Sequence, residues 1–261
     1  MKIRNGFVSN SSSSSFIVAF PYKPKNVKEV LDIMFCEKEG REGTVRKISI
    51  YNESLTYLEV AERVFEDMKG KKATLKTIIE ELLHRYYYRD ESCGPIFYLD
   101  GWSCDGDKYY CCDKKTSNEL KEISKQYYSK SRILYKMKTD LEIKNQIFVV
   151  PYAAIGVKNY KNKKYTKKEI KAYDDNQKRL KELTKNKEWI DICEAQRKND
   201  MEFKKISDEL SMKLAKADAE KFMDDNKSKH IFVVSYGDSM NSIMEHGNIF
   251  KNVSHIRVSH H

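Results

Sequence analysis

Residues 10–20 read NSSSSSFIVAF: five consecutive serines, Ser11 to Ser15, run directly into an apolar pentapeptide, Phe16 to Phe20. The apolar run has strand composition, and residues 3–8 ahead of the serines read the same way, so two strands are expected to flank the serine run. Pro21 and Pro24 close the second strand. A helix is predicted to follow, capped by Asn26, with Val27, Val30, Leu31 and Met34 on one face. A short strand over residues 45–51 completes a β-loop-β-α-β opening.

The far end of the chain returns to the same kind of sequence. HIFVVSYGDS (230–239) and VSHIRVSHH (253–261) are strand-like, and SMNSIMEHG between them has room for one or two helical turns. The text between the two ends is mainly helical. Residues 54–68 and 73–88 carry apolar spacings of three and four, and 116–143 predicts a longer helix. Residues 145–157 read as a strand. No glycine or proline occurs between Gly156 and Gly237. That span is too long for one globular helix, so a hairpin is expected, broken near Asn199-Asp200 with Asp200 as a cap.

The predicted fold is therefore α/β, with α+β as its alternative: a small mixed sheet built from both ends of the chain, and a large helical insertion that includes a long hairpin. The expected divisions are 1–52 with 228–261 as the core, 53–157 as a helical and irregular cysteine-containing insertion, and 158–227 as a basic helical hairpin.

The chain has 261 residues and mean hydropathy −0.73, with 17 Tyr, 11 Phe and 2 Trp to fill a core. No stretch approaches the roughly 20 apolar residues of a membrane span. The polar run 9–15 stands where a signal peptide needs its apolar segment, so a cytoplasmic protein without a membrane partner is expected. The six cysteines are then read as reduced thiols. Four of them, Cys93, Cys104, Cys111 and Cys112, lie in a loop over 90–113 whose spacing lacks the Cys-x2-Cys pairs of a zinc site.

Three groups of residues carry candidate chemistry. Five of the six histidines fall in the last 32 residues. If the two C-terminal strands run parallel, Asp238 after the first and His260 after the second stand side by side. Open α/β sheets place ligands at such strand ends. Asp238, Glu245, His246 and His260 are thus the catalytic candidates. Asp238, His246 and His260 would hold a divalent metal that activates water. The other reading makes these histidines surface or hydrogen-bonding residues, or, for the terminal pair, the remnant of an affinity tag.

The serine run is the second group. It is expected as an ordered loop in which Ser9, Asn10, Ser11, Ser12, Ser13, Ser14 and Ser15 present hydroxyls and backbone N–H groups to an anion or a docking partner. The third group is the basic stretch 158–188, with 12 basic residues against 5 acidic ones. There Lys158, Lys163, Lys164, Lys167 and Lys168 would neutralise phosphates, while Tyr160 and Tyr165 offer stacking faces. A solvated helical face is the competing reading. The overall balance of 49 Lys+Arg against 39 Asp+Glu, net +10, points toward nucleic acid or another polyanion.

The string Arg4-x-x-Phe7-Val8-Ser9-Asn10 followed by five serines and Phe16 resembles the opening of a group of tailed-bacteriophage and bacterial proteins that share an R-x-x-F-V-S-N-S-S-S-S-S-F start and have no established activity. The segment EHG…HIRVSHH is similar more loosely. The resemblance covers 13 residues and implies a phage or prophage setting, with phage or host proteins as partners. It carries over no catalytic residue. Two functions follow: metal-dependent hydrolysis of a phosphate-containing substrate at a site shared by the serine run and the C-terminal Asp and His residues, or a non-enzymatic virion or nucleic-acid-binding and protein-binding accessory role.

Overall fold

The computed structural model describes residues 13–35, 46–50, 53–69, 72–86, 88–90, 94–96, 107–147, 167–237 and 242–259. Its organising element is β1, Ser13–Phe20, which takes in the last three serines of the run. Two further strands, β6 (His230–Gly237) and β7 (Ser254–Ser259), pair antiparallel with its two edges. The order β6-β1-β7 makes the outer strands parallel to one another across a shared antiparallel partner. The expected sheet, built from the two ends of the chain, is thus present, and its central strand is the one that follows the serines. The expected loop reading does not hold for Ser13, Ser14 and Ser15. Ser14 and Ser15 pair with both β6 and β7 and are buried, and Ser13 pairs with β6. The expected strand 3–8 lies outside the described residues.

Alternation along β1 sends Phe16, Val18 and Phe20 to one face of the sheet. There they meet α1 (Val27–Phe35), α2 (Tyr57–Met68) and the short α7 (Ser242–His246) in one apolar core. A hairpin of β2 (Lys47–Ile50) and β3 (Glu53–Thr56) lies against α7. Each fully buried large side chain of this core contributes about 1.5–3 kcal/mol of transfer free energy. Local signals set the helix starts. Asn26 accepts from the Glu29 N–H at 3.0 Å, as the sequence suggests. Helix α2 starts later than expected, because Thr56 and Glu59 form a reciprocal capping box after a short strand.

Ile17 and Ala19 point to the opposite face, and helix α3 (Leu75–Tyr86) packs along β7. A small hairpin of β4 (Tyr88–Asp90) and β5 (Gly94–Ile96) and a 3-10 turn, Asp107–Tyr109, follow α3. Three long helices supply most of the rest: α4 (Lys114–Lys144), α5 (Lys167–Leu183) and α6 (Lys187–Asp225). The chain divides into two compact units, residues 1–121 with 208–261, and residues 122–207.

The helical hairpin exists, but its turn is at residues 184–186, where the Asn186 side chain caps α6 by accepting from the Glu188 N–H at 2.8 Å. Helix α6 runs unbroken through Asn199-Asp200. The reason is lateral: Asp200 accepts from the Tyr127 hydroxyl at 2.9 Å and the Gln196 amide at 2.8 Å, and Asn199 donates to Ser131. Both polar residues spend their side chains across the helix pair and leave none to end the helix. Of the expected strand 145–157, Asn145 and Gln146 form a turn after α4, Ile147 is buried beside it, and 148–157 lies outside the described residues.

Candidate functional site

The register of the three-stranded sheet brings the candidate segments of the first unit together. Ser13 is level with Gly237, and Ser14 is level with both Tyr236 and Ser259. The residues immediately before Asp238 and His260 therefore end at the same edge as the serines. Asp238 and His260 themselves, with Ser9, Asn10, Ser11 and Ser12, lie outside the described residues, as does the Glu245 side chain.

At this edge the organising cation is Arg257, on the same face as Ser14 because it is paired with Phe16. Its Nε and Nη2 both donate to the Ser14 hydroxyl at 3.2 Å, and Nη2 also meets His246 Nδ1 at 3.2 Å. A guanidinium only donates, so Nδ1 is the acceptor and the ring proton of a neutral His246 sits on Nε2. The guanidinium also lies over the Phe16 ring, 5.9 Å from its centroid. From behind, Arg85 of α3 donates to the Arg257 carbonyl at 2.9 Å and so fixes the strand. Ser15 faces the other way and shares a 2.8 Å hydroxyl pair with Ser235. Sequence reading selected Ser14 and His246 but passed over Arg257. Its signal is a lone arginine in an otherwise alternating apolar strand.

Tyr236, on the same face, is buried, and burial followed by the Asp67 carboxylate raises its phenol well above the ordinary value. The other histidines do different work. His255 Nδ1 donates to the Val253 carbonyl at 3.0 Å. His230 is half-buried beside Phe232, and burial, then Lys23 and Lys72, lower its pKa. Among the described residues no three His, Cys, Asp or Glu side chains stand close enough together to hold a metal.

The cysteine segment is organised by a carboxylate. Asp218 of α6, fully buried, accepts the Tyr86 hydroxyl, the Cys111 N–H at 3.3 Å and the Cys112 N–H at 2.8 Å. Cys111 adopts φ 53°, a left-handed conformation costly for a residue with a Cβ, and these bonds hold it there. Burial, then the hydrogen bond to and charge of Asp218, push the Cys112 thiol up to about 12. Cys112 is therefore not presented as a nucleophile or a thiolate ligand.

Comparison with protein-family models, with curated proteins and with solved structures finds no match to this chain.

The second unit differs in charge rather than in pocket chemistry. Residues 122–207 hold 22 Lys+Arg against 12 Asp+Glu, net +10, while the first unit holds 27 of each. The entire excess charge of the protein is therefore confined to one unit of 86 residues. Part of it falls on the sequence-derived basic stretch. Lys167 and Lys168 open α5, with side chains outside the described residues, and Lys158, Tyr160, Lys163, Lys164 and Tyr165 also lie outside them. The rest lies on α4, α6 and the remainder of α5. Beneath the charge, Leu141, Ile147, Leu183, Trp189 and Ile192 make a small separate core. The Tyr127 ring stacks on Phe203 at 4.2 Å, and its hydroxyl is held by Asp200. Among the described residues no helix is long and apolar enough to cross a membrane.

Proposed function

We propose that this protein is a nucleic-acid-binding accessory protein, in which the helical second unit is the polyanion-binding arm and the balanced α/β first unit is the scaffold. The observation that carries this reading is the segregation of charge: net +10 on residues 122–207 against a net charge of zero on the remainder. A composition skewed only by codon usage would spread its lysines over both units. Concentrated positive charge raises the local density of a polyanion and releases its condensed counterions on contact. The resemblance of residues 4–16 to tailed-phage proteins fits a phage or prophage origin, which would put that nucleic acid in the host cytoplasm beside phage or host proteins.

The test is binding of labelled nucleic acid by the intact protein across a salt series. The logarithm of affinity should fall linearly with the logarithm of salt concentration, at about −0.7 to −0.9 per phosphate contacted. Affinity that ignores salt, or no binding at 50 mM salt, would refute the proposal.

A second reading rests on a different observation, the convergence of Ser13 and Ser14, Arg257, His246 and the chain positions ahead of Asp238 and His260 at one sheet edge. An arginine, a serine hydroxyl and an imidazole suit a phosphate group, and hydrolysis there would need Asp238, Glu245, His246 and His260, with a divalent metal on Asp238, His246 and His260. A phosphodiesterase and nucleotide-hydrolysis screen with and without divalent metal tests it. Activity that survives His246→Ala and His260→Ala excludes this edge as its source.

A further inference from the structure

Helix α4 carries an exposed stripe that sequence reading did not single out. Lys125, Tyr128, Arg132 and Tyr135 follow one another at spacings of three and four, Lys136 stands four after Arg132, and all five lie within about 100° of arc. All five are exposed, and Tyr135 at 72% is the most exposed large hydrophobic residue of the described chain. Helical aromatics in a protein of this size normally serve a core, as neighbouring Tyr127 does at 8% exposure. Tyr128 and Tyr135 instead present their rings outward between cations.

We propose that this stripe is a binding face for single-stranded nucleic acid, in which Tyr128 and Tyr135 stack on bases while Lys125, Arg132 and Lys136 neutralise the flanking phosphates. The proposal rests on the polyanion-binding reading and narrows its ligand. The two tyrosines are seven residues apart, about 10 Å along the axis, a span of about three nucleotides at the roughly 3.4 Å spacing of one strand. Duplex bases are already stacked on each other and offer no face to an exposed ring, whereas every unpaired base does. One ring is also set in place. Tyr128 rests edge-on against Tyr127 at 5.3 Å, and Tyr127 is fixed by Phe203 and Asp200. Lys125 pairs with Glu122 at 2.6 Å, but both side chains are more than half exposed, and such surface pairs are weak.

The experiment measures binding of the full-length protein to a labelled oligothymidylate, to a duplex of the same length and to heparin. Tyr135→Ala and Tyr128→Ala should each weaken oligothymidylate binding about 10-fold, with heparin binding unchanged and Tyr135→Phe close to wild type. Lys125→Ala with Arg132→Ala and Lys136→Ala should weaken all three ligands and flatten the salt dependence. If wild type and both tyrosine-to-alanine variants bind the oligothymidylate equally well, or the duplex binds as tightly as the single strand, the stacking face is overturned while polyanion binding stands. Retention of heparin without either nucleic acid overturns it in favour of an acidic protein partner. Failure to bind any of the three overturns the underlying reading as well.

Discussion

The Tyr86 hydroxyl donates to the carboxylate of Asp218, and the two residues, 132 positions apart in sequence, are both buried. The same carboxylate holds the backbone N–H groups of Cys111 and Cys112. One charge thus ties α3, the turn before α4, and α6 to each other. Asp218→Ala leaves the Tyr86 hydroxyl and the Cys112 N–H without this acceptor, while the Cys111 N–H keeps the Tyr86 oxygen at 3.0 Å, and should destabilise the protein by about 3 kcal/mol or more. Tyr86→Phe removes one donor to the carboxylate and one acceptor of the Cys111 N–H, but leaves both cysteine N–H groups on Asp218, so about 1–2 kcal/mol is expected. Chemical denaturation of the two variants checks the ranking. Equal effects, or a stable Asp218→Ala protein, would deny the carboxylate this role.

Cys112 should be inert in the native protein. Its thiol, raised to about 12 by burial and by Asp218, holds almost no thiolate at pH 8, and the thiolate is the reacting species. Peptide-resolved alkylation should label Cys112 only as fast as the protein unfolds, with the rate rising steeply in denaturant. Rapid native labelling at pH 8 would contradict this.

His230 makes the fold acid-sensitive. Burial, then Lys23 and Lys72, depress its pKa in the folded state below the unfolded value near 6.5. The unfolded chain therefore takes up the proton first, and the contribution is intact above pH 6.5 and lost as pH falls below it. A His230→Asn protein should show a smaller drop in Tm between pH 7.5 and 5 than the wild type. Parallel pH profiles would remove His230 from the account.

Much of the fold could be read from sequence where a local pattern and the tertiary outcome agree. The apolar run Phe16 to Phe20, the Asn26 cap, the segment HIFVVSYG and the final strand each carry their own period-two or capping signal, and each stands near where it is expected. Ser13 to Ser15 have no such signal. They extend because β6 and β7 pair with the two edges of β1, because the Ser15 hydroxyl pairs with that of Ser235, and because the Ser14 hydroxyl accepts from Arg257. Asp200 has the chemistry of a cap, yet Tyr127 and Gln196 claim its carboxylate from the side. Arg257 was invisible for a related reason, since a strand arginine is explained only by the hydroxyl and imidazole that long-range pairing brings to it. The charge segregation was present in the sequence throughout, but it required the unit boundaries to be seen.

The turn after α7 sets the position of His246, and Gly247 is the residue that permits it. Its N–H donates to the Ile243 carbonyl at 2.8 Å, closing the short helix. A Cβ added at Gly247 would stand 2.3 Å from that same carbonyl oxygen, a contact that only a backbone shift relieves. Gly247→Ala should therefore cost about 1–3 kcal/mol, and it should displace His246 from Arg257. The next residue gives the control. Asn248 already adopts φ 48°, so Asn248→Gly removes a Cβ from a left-handed position and should change stability by less than about 1 kcal/mol. Urea denaturation measures both, and the His246 imidazole resonances report the displacement. If Gly247→Ala were as stable as the wild type with unshifted His246 resonances, the turn would not be what holds His246 at the sheet edge.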